Sequence, residues 1–109
     1  METALVMVWT TLPEEPLAAS VAATLVEEQL AACVHILPAG RSCYRWQGVI
    51  HQDAEWTLLI KTRRALYARL EARLRTLHPY EVPEILMTPV LQSLPAYQDW
   101  LLEATQEAV

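Results

Sequence analysis

The sequence has little glycine, few cysteines, no phenylalanine and no long apolar run. Its longest unbroken apolar run, residues 4–9, has the length of a strand, whereas a membrane-spanning helix needs about 18 or more apolar residues. No basic flank precedes an apolar segment at the N-terminus, so we expect no secretory signal. Cys33 and Cys43 form no Cys-x-x-Cys pair, and two cysteines do not make a secreted disulfide scaffold. We expect free thiols in the cytoplasm, although the sequence leaves a bridge between them open.

Basic residues are also scarce. Eight lysines and arginines face thirteen aspartates and glutamates, which gives a net charge of −5. A protein that binds nucleic acid through its phosphates needs a basic face, so this balance argues against that class. The length of 109 residues predicts one domain, residues 1–109.

Apolar residues, in contrast, make up 53% of the chain. Small monomers have a large surface for their volume and need more polar residues than this. An unusually apolar core is one explanation. We favour another, a core that continues across contacts between copies of the chain, because obligate interfaces resemble a domain core cut in half.

The apolar patterns alternate between strand and helix periods. Strands are predicted at 4–11, 32–37 (resuming at 42–46 after a kink), 55–62 and 84–90, with a hairpin region at 47–54. Helices are predicted at 16–30, 64–77 and 95–107. The order β-α-β-β-α-β plus a short helix predicts an α+β, ferredoxin-like split βαβ domain. Both main helices would cover one face of an antiparallel sheet, and another copy of the chain would cover the other face.

Motifs of the common enzyme classes are missing. The sequence has no nucleophile elbow with a Ser/His/Asp order, no phosphate-binding loop and no His-Glu-x-x-His. We therefore expect a binding protein and not an enzyme.

Five short motifs occur in order along the chain: LAACV at 30–34, S-x-Y-x-W-x-G at 42–48, KTR at 61–63, HPYEVPE at 78–84 and Y-x-x-W at 97–100. Together they resemble the CutA family of divalent-cation tolerance proteins along nearly the whole chain. The resemblance implies a ferredoxin-like homotrimer with the architecture of PII-type signalling proteins. It also implies binding of divalent ions, copper above all, and a role in the response to metal ions.

The metal ligands that we predict are His78, Cys33 and His35. Where some family members carry a cysteine and a second histidine, this chain has Thr10 and Leu77, so only His78 of that possible copper site is present. Cys33 and His35 lie two residues apart on one strand and share a face. The alternatives are that His78 caps a loop and that Cys33 is a small buried apolar residue.

A second set of residues could form a pocket between strand ends and the loop before the last strand. Its predicted members are aromatic or charged: Tyr44, Trp46, Lys61, Tyr80, Glu84 and Trp100. Lys61 and Glu84 could be a structural ion pair ringed by aromatic side chains. Alternatively, Lys61 could hold a small anionic or polar ligand that stacks on Trp46. The sequence thus supports two functions: a cytoplasmic homotrimer that binds divalent metal, or a PII-like trimer that binds a small ligand or a protein between its subunits.

Overall fold

The computed structural model describes residues 3–106. Within that range the chain forms a sheet of five strands with three α-helices. The strands are β1 (Leu5–Leu12), β2 (Cys33–Ile36), β3 (Gly40–Trp46), β4 (Val49–Arg63) and β5 (Leu86–Pro89). The helices are α1 (Glu15–Glu27), α2 (Tyr67–Leu77) and α3 (Pro95–Ala104), and a 3₁₀ turn, Arg64–Leu66, leads into α2.

The strands pair in the order β2-β4-β1-β5, and β3 pairs with the first half of β4. Every pairing is antiparallel, and β1 runs along β4 from Leu5 opposite Arg63 to Leu12 opposite Trp56. Helices α1 and α2 each connect two strands that are not neighbours in the sheet, which is the arrangement of the split βαβ unit. The predicted ferredoxin-like fold is confirmed.

One face of the sheet forms the main core with α1 and α2. Alternate residues of β1 and β4 point to this face, and Val8, Leu58 and Ile60 are fully buried there. Leu25 of α1 and Leu74 of α2, also fully buried, pack against them. Burial of each such side chain contributes about 1.5–3 kcal/mol, so this face supplies most of the apolar stabilisation of a single chain.

The opposite face is covered by the described chain only at one end. There, Leu101 of α3 packs on Leu5 and Ala32. Arg63 anchors the end of α3, because its guanidinium donates hydrogen bonds to the carbonyl of Leu102 and to Thr105 Oγ1. Elsewhere this face stays partly open, as its half-buried residues Met7 and Trp9 and its exposed residue Leu86 show.

Several element boundaries differ from the predictions. β4 already begins at Val49, because Gln47 and Gly48 both have positive φ and form a tight two-residue turn that fixes the register from Trp46 opposite Val49 onward. What was predicted as one kinked strand is two strands, β2 and β3, separated by residues 37–39. We call residues 40–54, in which β3 pairs with the outer half of β4, the arm.

Three helix and strand ends also shift. α1 ends at Glu27, because Gln29 turns into the left-handed region with φ 60°. β5 begins at Leu86, two residues later than predicted. The predicted end of the last helix, residue 107, lies outside the described residues, and α3 ends at Ala104.

Candidate functional site

A cleft of about 620 Å³ lies between the arm and the loop 79–84 that joins α2 to β5. Its walls carry three aromatic residues and three carboxylates, which are Tyr44, Trp46, Tyr80, Glu55, Glu81 and Glu84. Backbone and small side chains of the arm, of β1 and of the loop complete the lining. The cleft therefore combines apolar surface with acidic groups.

The alternation of side chains along β3 places two of the cleft's three aromatic residues on one face of the arm. Ser42, Tyr44 and Trp46 alternate along β3 and share one face, and Asp53 lies opposite Ser42 on the same face. The Tyr44 hydroxyl donates a 2.5 Å hydrogen bond to Asp53 Oδ2, and its ring stacks on His51 at a centroid distance of 5.4 Å. These contacts hold the Tyr44 ring in place on the arm.

Glu55 and Tyr80 join the arm to the loop. The Tyr80 hydroxyl donates a 2.7 Å hydrogen bond to Glu55 Oε2, and Glu55 is only 8% exposed. Burial, followed by the hydrogen bond to Glu55, raises the pKa of the Tyr80 phenol well above its ordinary value. Tyr80 therefore stays protonated and acts as a fixed hydrogen-bond donor to the carboxylate.

His78 holds the loop against β1. Its Nε2 lies 2.7 Å from the carbonyl oxygen of Thr11, and the backbone N–H of Tyr80 donates to its Nδ1 over 3.2 Å. A carbonyl only accepts and an N–H only donates, so Nε2 carries the proton. Burial lowers the pKa of the ring, which favours this neutral form. Both nitrogens are thus engaged by backbone groups.

Cys33 and His35 lie elsewhere, on the edge strand β2. They are opposite Lys61 and Leu59 of β4, on the face that α1 and α2 leave open. Cys33 is a half-buried free thiol, and His35 is exposed. The structure thus places these two predicted ligands on one face but does not bring His78 to them. Among residues 3–106, no three His, Cys, Asp or Glu side chains are close enough to hold a metal ion.

Thr10 lies on the opposite, helix-covered side of the sheet. It is fully buried opposite Leu58, and its hydroxyl has no hydrogen-bond partner within residues 3–106. Neither Thr10 nor the set of predicted ligands therefore supplies a closed metal site within the described part of one chain.

Of the six predicted pocket residues, four line the cleft: Tyr44, Trp46, Tyr80 and Glu84. Lys61 lies on the open sheet face between Met7 and Cys33. Trp100 lies on α3, where it packs against Tyr97 with ring centroids 5.5 Å apart. Across residues 3–106, no ion pair joins Lys61 to Glu84.

The cleft also contains residues that sequence reasoning missed, above all Glu55. The alternation of apolar residues after Glu55 predicts that a strand begins at this residue, but it does not predict that the Glu55 side chain lines a cleft. The signal that could have found it is the Gln47-Gly48 turn: counting outward from a two-residue turn pairs Gly40 with Glu55. That register places Glu55 on the same face as Tyr44 and Trp46.

Similarity to known proteins covers nearly the whole chain. The family model for the CutA1 divalent ion tolerance protein matches residues 6–104. This chain belongs to the CutA1 family. The family resemblance predicted from the five motifs is thereby confirmed.

Individual relatives agree with the family match. The divalent-cation tolerance protein CutA of Thermus thermophilus is 47% identical over 95 residues, which are 87% of this chain and 92% of that protein. Mouse protein CutA is 41% identical over 88% of this chain, but the match spans only 54% of that protein, about half its length. Neither name describes an enzymatic activity.

Solved CutA structures share the fold. The structure of the divalent cation tolerance protein Cut A1 from Thermus thermophilus has a TM-score of 0.91 and 45% identity, covering 94% of this chain and 99% of that one. CutA from Xylella fastidiosa has a TM-score of 0.92 and 38% identity, covering 95% of this chain and 100% of that one. Within the described part of this chain, no helix is long and apolar enough to cross a membrane.

Proposed function

We propose that this protein acts in tolerance to divalent cations as a homotrimer that binds the ions with residues from more than one chain, with copper as the expected ion. Family membership supports the link to divalent cations. The observation that carries the metal site is the pair Cys33 and His35, which share one open sheet face. Thiolate and imidazole are ligands that copper and zinc prefer. A pair alone does not close a site, and in this proposal the further ligands come from neighbouring copies.

The homotrimer is supported by the arm. Its tip exposes Trp46, Val49 and Ile50, which are 42%, 56% and 62% exposed. A two-stranded hairpin is only marginally stable by itself, and a cluster of exposed apolar side chains marks an interaction site. Burial of this tip against other copies would account for the apolar surplus of the sequence.

The proposal also includes a cytoplasmic location and a role in binding without catalysis. The two cysteines support a reducing compartment, since both are free.

The test is native mass spectrometry of the reduced, metal-free protein during a copper titration. We expect a trimer that takes up a whole number of copper ions per chain and loses this uptake in Cys33→Ala and His35→Ala. Cys43→Ala, which removes the exposed thiol of the arm, is the matched control and keeps it. Uptake that never saturates, or that survives both substitutions, would contradict the proposed site.

His78 is the third proposed ligand, and it needs a separate variant. To bind an ion, its ring has to exchange one of its two backbone hydrogen bonds for the metal. Copper uptake by His78→Ala measures this contribution directly. Unchanged stoichiometry and affinity in this variant would remove His78 from the site and leave its structural role.

A second candidate function is supported by the cleft. Four predicted pocket residues gather around one cavity of about 620 Å³, within the size range of small-molecule sites. This favours a PII-like role, in which a small ligand or a protein segment binds beside the arm and changes its contacts with other chains. Saturable binding of a small molecule by the trimer, with no saturable copper uptake, would favour this second function over the first.

A further inference from the structure

The charged side chains that line the cleft are all acidic. Its lining includes Glu55, Glu81 and Glu84, and the described residues contribute no lysine, arginine or histidine to it. Lys61, the cation expected there from the sequence, lies on the open sheet face instead. The cleft therefore attracts positive charge and disfavours an anionic ligand.

Glu55 is the most informative of these carboxylates. It is almost completely buried, since only 8% of its surface is exposed. Its Oε2 accepts one hydrogen bond, from the neutral Tyr80 hydroxyl. Its Oε1 receives none from residues 3–106, and within that range no cation forms an ion pair with it. Among the side chains of the described residues, only the Thr10 hydroxyl is both fully buried and without a partner, so Glu55 Oε1 is not sealed off and can accept a hydrogen bond from a ligand.

The rest of the wall specifies the kind of cation. Tyr44, Trp46 and Tyr80 surround the same cavity, and aromatic faces attract organic ammonium groups through their ring quadrupoles. A hard divalent ion needs several oxygen ligands at bonding distance, and no group of three metal-binding side chains exists among residues 3–106. Within one chain, aromatic walls beside a carboxylate therefore fit an organic cation better than a metal ion.

We propose that the cleft beside the arm binds a primary organic ammonium ion, whose N–H groups donate to Glu55 while its hydrocarbon part lies against Tyr44 and Trp46. This inference rests on the second candidate function, a ligand-binding cleft, and names the chemical class of its ligand. None of the three proposed metal ligands, Cys33, His35 and His78, lines the cleft, and only His78 contacts a residue of its wall, Tyr80.

The experiment uses the full chain in its native assembly and three probes of similar shape: benzylammonium, benzyl alcohol and benzoate. Calorimetry measures affinity, and the NMR signal of the Trp46 indole N–H reports whether the probe occupies the cleft. We expect saturable binding of benzylammonium, with a shift of that signal, at an affinity at least about tenfold above that of the other two, because charge-assisted hydrogen bonds are roughly twice as strong as neutral ones and the acidic lining repels benzoate. Preferred binding of benzoate or benzyl alcohol would overturn the ammonium assignment but keep a ligand cleft. Binding of none of the three would overturn both.

Three amide variants locate the effect. Glu55→Gln keeps an acceptor for Tyr80 but removes the carboxylate that the ammonium group would contact, so we expect benzylammonium affinity to fall at least about tenfold. Glu84→Gln, at an exposed position of the lining, should reduce it less and keeps the test usable if Glu55→Gln does not fold. Glu27→Gln removes the same charge from the exposed end of α1 and should change nothing. Equal affinities in all three variants would overturn the proposal.

Discussion

The two halves of β4 belong to one continuous strand but have opposite surroundings. In the inner half, residues 55–63, Leu58 and Ile60 are fully buried under α1 and α2. In the outer half, residues 49–54, Val49 and Ile50 are 56% and 62% exposed. Both halves have an antiparallel partner, β1 for the inner half and β3 for the outer half, but only the inner half also pairs with β2 along its other edge.

A second difference lies in the layer that covers the sheet. The inner half has helices of its own chain packed on it, and the outer half has none from residues 3–106. Apolar side chains in both halves indicate that both are built to be buried, which places the missing layer of the arm on other copies of the chain. Two predictions test this comparison, and two more test polar groups that the fold of a single chain buries.

The largest effect is expected from Trp46→Ala, at the exposed tip of the arm. Loss of a buried tryptophan costs about 3–5 kcal/mol, so if other copies bury Trp46, this variant should dissociate at concentrations where the parent stays assembled. Sedimentation at several concentrations measures this. Trp100→Ala, on the exposed side of α3, should act in the same direction. An unchanged assembly mass and melting temperature in both variants would contradict an interface at these residues.

Leu58→Ala tests the inner half of β4. It should lower the free energy of unfolding by about 2–5 kcal/mol, because it opens a cavity in a fully packed core. Ile50→Ala is the matched outer variant and should change assembly more than the unfolding of a separated chain. Denaturant unfolding combined with sedimentation separates the two effects. Similar effects of both variants on unfolding, with none on assembly, would show that the halves do not differ in this way.

The third prediction concerns pH. Burial lowers the pKa of folded His78 below its ordinary value of 6.5, so the unfolded chain binds a proton there more readily than the folded chain. The contribution of the neutral His78 ring to the free energy of unfolding is complete above about pH 6.5 and is lost as the pH falls below this value. We expect the melting temperature to fall between pH 7 and pH 5 in the parent and to fall less in His78→Gln. His51→Gln, a change at a half-buried arm histidine, should keep the parental slope. The same slope in parent and His78→Gln would refute the assignment.

The smallest effect is expected at Thr10, on the buried face of β1. Its hydroxyl is buried without a hydrogen-bond partner within residues 3–106, which costs stability. Thr10→Val replaces this hydroxyl with a methyl group and should raise the free energy of unfolding by about 1 kcal/mol. Thr62→Val is the control, because the Thr62 hydroxyl donates a 2.7 Å hydrogen bond to the Leu30 carbonyl, and it should be destabilising. A loss of stability in Thr10→Val would show that the hydroxyl has a partner.

Much of the fold could be predicted from the sequence, because its elements differ clearly in period. The helical stripe of α2 and the alternation of inner β4 each fit one period only, and the chain order then limits the topology. The arm was less predictable. Each face of the arm carries both polar and apolar residues, so the outer half of β4 shows no clear alternation. Only the positive φ angles of Gln47 and Gly48 in the structure show where this strand begins.

The site was predictable only in part. Tyr44, Trp46, Tyr80 and Glu84 stand out because aromatic and charged residues cluster in the motifs, and the structure gathers them. Lys61 and Trp100 are equally conspicuous in sequence but lie elsewhere. Whether a side chain reaches a cleft depends on strand register and on the path of a loop, and both are set by contacts between distant segments.

The most direct test of this account is the mass of the native, metal-free protein at low micromolar concentration. We predict a single species with three times the 12.4 kDa mass of the chain, in which the backbone of the arm tip at Val49 and Ile50 is protected in hydrogen exchange experiments. A monomer with a fully solvated arm would contradict the account, because the exposed half of β4 would then have no layer to bury it.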